Sequence, residues 1–253
     1  MGRGPPAAAG PGRGRRRRGH PGPARRPPLP PRLSFPPSVH LRGGQAEESS
    51  AGSFLPTNEE DRVAEILMFH HVLGRTRGME ALAARFREAG HTVHLPDLYE
   101  GRVFGDREDG SAYAEEVGFD TLIERGRLAA EALPRELVYA GVSLGVLPAQ
   151  LLAQTRLGAR GALLISAAVE PSEFDAPWPT GVPVQVHAKE EDTMFVEEGD
   201  LDAARSIAAT VPDAELFLYP GGGHLFTEQG GADHDPAATD LLVERATAFL
   251  TRL

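Results

Sequence analysis

Val138-Tyr139-Ala140-Gly141-Val142-Ser143-Leu144-Gly145 reads as a buried strand that stops on a tight Gly-x-Ser-x-Gly turn, with a helical pattern from about Val146 onward. Strand, sharp serine turn and helix in that order make a nucleophile elbow, in which the serine hydroxyl projects clear of the sheet. Gly141 and Gly145 lack a Cβ, so the strand and helix backbones can close around the turn. The start of the helix adds partial positive charge where an alkoxide or oxyanion would form. Gly-x-Ser-x-Gly also arises by chance in a chain with 29 glycines. The apolar run before it and the helical spacing after it give it weight.

Working outward, the segments alternate between strand and helix. Ile66-Leu67-Met68-Phe69-His70 is a continuous apolar run, the mark of a strand covered on both faces. Leu82, Ala83, Phe86 and Ala89 form one stripe of a helix over Met79–Ala89, closed by Gly90. Further strands are expected at Thr92–Leu95, Leu137–Ala140, Ala162–Ser166, Val182–His187 and Glu215–Tyr219. Further helices are expected at Phe119–Leu133, Leu147–Leu157, Leu201–Val211 and Asp240–Leu253, while residues 98–118, with several glycines and acids, read as irregular. Alternation of this kind implies a doubly wound, mostly parallel sheet with helices on both faces, and loops at the carboxyl ends of its strands carry the chemistry.

The 253 residues suffice for one sizeable domain. The absence of cysteine excludes disulfides, cysteine-ligated zinc and a thiol nucleophile, and suits a cytoplasmic location. No apolar run approaches the length of a membrane span. Charge is divided unevenly: residues 1–45 hold ten arginines and no acid, leaving 16 of the 26 basic residues against all 36 acids in the remainder. The folded part is therefore acidic and offers no basic face to nucleic acid. Residues 1–62, rich in Arg, Pro, Gly and Ala, carry too little apolar surface to offset the entropy of ordering. A basic arm for nucleic acid or membrane and a targeting peptide are two readings of them, the second weakened by the lack of an apolar stretch after the arginines. The favoured reading is a mis-assigned start, with the domain proper at 63–253 beginning on the strand pattern of Val63-Ala64-Glu65-Ile66.

A serine hydroxyl is a weak nucleophile until a base takes its proton. In a sheet of this type the order expected is serine, then acid, then histidine. His224 follows the last strand after three glycines and is the expected base, with His234 in reserve. Asp192 follows the Val182–His187 strand and is the expected orienting acid, in competition with Glu190 and Glu191. Two backbone N–H groups are needed for an oxyanion. One is expected from Leu144, the residue after Ser143, and the other from Val72 in Phe69-His70-His71-Val72-Leu73-Gly74. His70 and His71 are adjacent on an extended segment and point opposite ways, with no third ligand close by, so no metal site is expected. Pocket walls are expected from His71, Phe104, Trp178, Phe195 and Phe226, with Phe119 and Met194 beside them.

At these residues the chain resembles the dienelactone hydrolase family of α/β-hydrolases, over roughly Glu65 to Leu253. The resemblance rests on His70-His71-Val72-Leu73-Gly74, Leu95-Pro96-Asp97-Leu98-Tyr99, Gly141-Val142-Ser143-Leu144-Gly145, Glu191-Asp192 and Gly223-His224-Leu225-Phe226. It implies an α/β-hydrolase fold with a Ser or Cys, Asp, His triad and no large lid. Well-known members have cysteine where Ser143 stands and a glutamate where His71 stands, a device for managing a thiol proton that a serine does not need. The sheet is expected to hold about six strands. The function expected is hydrolysis of a small carboxylic ester or lactone without a cofactor, by a monomer or homodimer that needs neither membrane nor nucleic acid. The alternative from another class is a non-catalytic small-ligand-binding protein on the same fold.

Overall fold

The computed structural model describes residues 1–2 and 63–253. The arm expected over residues 1–62 lies, apart from its first two residues, outside them. Six strands, β1 (Glu65–Phe69), β2 (Thr92–His94), β3 (Val138–Val142), β4 (Gly161–Ile165), β5 (Val184–Lys189) and β6 (Ala214–Tyr219), form one sheet in the order β2-β1-β3-β4-β5-β6. Every pairing is parallel. The sequence order of the strands reverses at β1, which pairs with β2 on one side and β3 on the other, aligning Phe69 with Gly141. A ligand crevice opens at such a switch point, outside the carboxyl ends of the strands.

The helices are α1 (Arg77–Glu88), α2 (Arg107–Val117), α3 (Phe119–Glu131), α4 (Val146–Thr155), α5 (Thr193–Glu197), α6 (Asp200–Thr210) and α7 (Pro236–Thr251). The period-two alternation of side chains splits the sheet into two faces. Leu67, Phe69 and Tyr139 pack with α3, α4 and α6, whereas Ile66, Met68 and Ala140 pack with α1 and α7. Strands buried on both faces have no polar alternation, which is why β3 and β4 read as unbroken apolar runs.

The segment expected to be irregular, 98–118, contains α2. Only Gly110 and Ala114 of that helix are buried, so no apolar stripe marks it. Local capping defines it instead: Asp106 Oδ1 accepts the Asp109 N–H at 2.9 Å, and Gly118 at φ 87° turns the chain into α3. The short α5, capped by Asp192, also falls where a loop was expected. The last helix starts four residues earlier than its apolar spacing suggests, at Pro236, because Asp235 caps it and proline suits the first turn.

Candidate active site

Ser143 directly follows β3 at φ 50°, one of few non-glycine residues in the left-handed region. Holding an L-residue there costs on the order of 1 kcal/mol or more, which the surrounding packing must offset. Two close approaches define that packing. A Cβ on Gly141 would fall 2.3 Å from the Gly145 carbonyl oxygen, and one on Gly145 would fall 2.3 Å from that of Phe69. The elbow is thereby pressed against the end of β1, where the loop containing Val72 begins.

The structure brings Ser143, His224 and Asp192 into one hydrogen-bonded chain. The Ser143 hydroxyl lies 2.8 Å from His224 Nε2, and His224 Nδ1 lies 2.6 Å from Asp192 Oδ2. All three side chains belong to buried residues. The carboxylate accepts the Nδ1 proton, so Nε2 keeps its lone pair and faces the serine hydroxyl as an acceptor. Asp192 is itself fixed through Oδ1, which accepts the Met194 N–H at 3.1 Å. Its rivals Glu190 and Glu191 are exposed, and their N–H groups donate to the carbonyls of Tyr219 and Gly221. His234 lines a separate groove against α1 and α7. Lys189, the chain's only lysine, is buried at the end of β5 and pairs with Asp235 at 2.6 Å, tying the acid-bearing turn to the start of α7. That ammonium also holds the Asp235 carboxyl below the usual carboxylate range.

The loop after β1 is held from several sides. His70 is fully buried, and its Nδ1–H donates to the His71 carbonyl at 2.8 Å while Nε2 accepts the Leu98 N–H at 3.0 Å. Burial lowers its pKa to about 4, so the ring is neutral in this role. The Leu73 N–H donates to His71 Nδ1 at 3.3 Å and the Gly74 N–H to the His71 carbonyl at 3.0 Å. Of the N–H groups at 72, 73 and 74, that of Val72 is left as the candidate donor to a ligand. The Leu144 N–H sits at the start of the 3-10 turn Ser143–Gly145 that leads into α4.

Segment 98–118 clasps this loop. Phe104 N–H donates to the Leu73 carbonyl at 3.0 Å, and α2 passes so close that a Cβ on Gly110 would fall 2.4 Å from the Val72 carbonyl oxygen. From the same helix, Arg107 reaches Met194 Sδ beside the acid turn at 2.9 Å. Thus α2 touches both the loop after β1 and the turn after β5.

Of the expected pocket walls, Phe104 is half-buried against Tyr99 and Tyr113, and Trp178 is half-buried with its Nε1–H donating to Val182 O at 2.7 Å. Phe119 and Met194 are also half-buried. Phe195 and Phe226 instead lie wholly inside the two apolar cores and present no surface, because α5 after Asp192 and the turn after His224 carry them inward. His71 is likewise fully buried, with Nε2 2.9 Å from Glu228 Oε2. Glu228 was not among the expected site residues. Its place four residues beyond His224 is the only local signal, and its partner lies 157 positions away.

Comparison with known proteins agrees with this architecture. The model of the dienelactone hydrolase family matches residues 51–253. Among proteins of curated function, none matches the sequence. A dienelactone hydrolase-like promiscuous phosphotriesterase from metagenomic libraries superposes with a TM-score of 0.63 at 15% identity, covering 75% of this chain and 86% of that one. A dienelactone hydrolase from Anabaena variabilis gives 0.55 at 16%, covering 75% and 86%. Carboxyl esterase 2 from the fungus Tuber melanosporum gives 0.53 at 12%, covering 78% and 80%. At these identities the likeness is one of fold, the α/β-hydrolase fold.

Proposed function

The chain belongs to the dienelactone hydrolase family, and on that premise we propose that it cleaves a small carboxylic ester or lactone through an acyl-enzyme on Ser143. The observation that carries this reading is the hydrogen-bonded chain from the Ser143 hydroxyl through His224 to Asp192. In the proposed reaction Ser143 Oγ attacks the ester carbonyl as His224 Nε2 takes the hydroxyl proton. Asp192 holds the ring with Nδ1 protonated and stabilises the imidazolium that forms. The N–H groups of Val72 and Leu144 receive the oxyanion of the tetrahedral intermediate. The intermediate collapses, the C–O bond to the alcohol breaks, and His224 delivers the proton to the leaving oxygen. A water then gives its proton to Nε2 and attacks the acyl group, and Ser143 regains its proton as the acid departs.

A non-catalytic ligand-binding role on the same fold has no specific support, since a binder has no chemical need for a base aimed at a hydroxyl. Hydrolysis of p-nitrophenyl acetate by the purified protein, beside Ser143→Ala, tests the proposal. The expected outcome is loss of activity in the variant by three orders of magnitude or more. Equal background rates in both proteins, together with no fluorophosphonate adduct on Ser143, would overturn it.

A further inference from the structure

Beside the Ser143–His224–Asp192 chain lies a second buried carboxylate–imidazole pair, His71 with Glu228. We propose that these two are positioning residues for the oxyanion site, a strut that locks the Val72 loop onto the turn carrying His224. The inference rests on the hydrolase reading above and assigns two residues that the reaction steps leave out.

The hydrogen-bond pattern sets the proton positions. Because Leu73 N–H donates to His71 Nδ1, that nitrogen holds the lone pair, so the proton sits on Nε2 and donates to Glu228 Oε2 at 2.9 Å. One imidazole thus ends on the loop backbone next to Val72 and on a carboxylate four residues past His224. The carboxylate is anchored in turn. Thr76 Oγ1 donates to the same oxygen at 2.8 Å, and that hydroxyl accepts the Met79 N–H at 3.1 Å as the cap of α1. Space is kept for it as well, since a Cβ on Gly78 would fall 2.3 Å from Glu228 Oε2. Two segments distant in sequence, 71–79 and the turn carrying Glu228, therefore meet at one carboxylate oxygen.

Stability alone does not account for such a pair. Burying a carboxylate costs several kcal/mol, and apolar side chains of similar volume are often as stable or more so. An apolar pair would lack direction: it could not hold the Leu73 N–H, and with it the orientation of the neighbouring Val72 peptide. Misplacing one donor of an oxyanion site costs catalysis rather than binding.

The test is steady-state hydrolysis of p-nitrophenyl acetate and its thionoester, in which charge develops on sulfur, a poor hydrogen-bond acceptor. Glu228→Ala should lower kcat on the oxoester about tenfold to a hundredfold with little change in KM, and should narrow the oxoester-to-thionoester ratio. Glu228→Gln should recover most of both, since its amide oxygen still accepts from His71. The double variant His71→Phe with Glu228→Leu removes the need for Glu228→Ala to fold. It should melt no lower than the parent yet keep the narrowed ratio. A parent-like ratio in the double variant, or equal losses on both substrates, would overturn the strut. Absence of Ser143-dependent hydrolysis in the parent would overturn the hydrolase reading, and the strut with it.

Discussion

At the scale of single residues, geometry assigns distinct tasks to chemically similar groups. Asp192 is the acid that reaches His224, while Glu190 and Glu191 beside it face solvent. Asp192→Asn should therefore lower kcat by about three to four orders of magnitude with the fold intact, because the amide favours the wrong tautomer of His224; paired kcat and circular dichroism measurements check this. Two other histidines should make stability depend on pH. Burial lowers His70 to about 4, and burial with the nearby Arg245 lowers His187 to about 3. An unfolded imidazole titrates near about 6.5. Below that value the unfolded chain binds more protons than the folded one, so stability is full above about pH 6.5 and declines as pH falls toward 4. At about 1.4 kcal/mol per pKa unit, His70 alone withdraws about 3 kcal/mol across that window. Urea midpoints from pH 7.5 to 4.5 should fall accordingly, with a shallower slope in His70→Asn. The grouping of Ser143, Asp192 and His224 into one hydrogen-bonded chain was legible in the sequence because their chain order and neighbouring turn residues mark them. Glu228 was not, because what defines it is a partner on another loop.

At the scale of elements, the longer of the two helices that escaped sequence reading, α2, braces the loop after β1. The polar surface of α2 leaves no periodic signal, yet Gly110 on it meets the Val72 carbonyl. Gly110→Ala makes a diagnostic variant. Alanine raises intrinsic helix stability by about 1 kcal/mol over glycine, but here the added Cβ would fall 2.4 Å from a backbone oxygen. The expected outcome is a loss of both melting temperature and kcat, measured by thermal unfolding and ester hydrolysis. A stabilised, fully active variant would show that α2 does not press on the loop. The elbow is the opposite case. Its glycines were visible as a motif, and the structure supplies the reason, contacts of Gly141 with the Gly145 carbonyl and of Gly145 with the end of β1. Strands covered on both faces were legible from apolar runs. Helix starts moved by a few residues because caps such as Asp235 and Thr76, not apolar spacing, set them.

At the scale of the whole molecule, the six-stranded parallel sheet forms a single unit between two helical layers, and no helix among the described residues is long and apolar enough to cross a membrane. Residues 63–253 expressed alone should therefore unfold in one transition, with the midpoint and ester hydrolysis of the full chain. A midpoint lowered by more than about 5 °C would correspond to a loss of 1 to 2 kcal/mol and would show that residues 1–62 contribute to the domain. The sequence by itself determined the alternation of strand and helix, the serine turn, and the order in which Ser143, Asp192 and His224 follow one another. These are written in neighbouring residues, through apolar period and turn chemistry. Only the tertiary structure decided which distant segments meet: β1 against β3, His224 with Ser143 across 81 positions, and His71 with Glu228 across 157. Such meetings follow from how buried faces pack and which polar groups must find partners once water is excluded, and a linear pattern does not encode them.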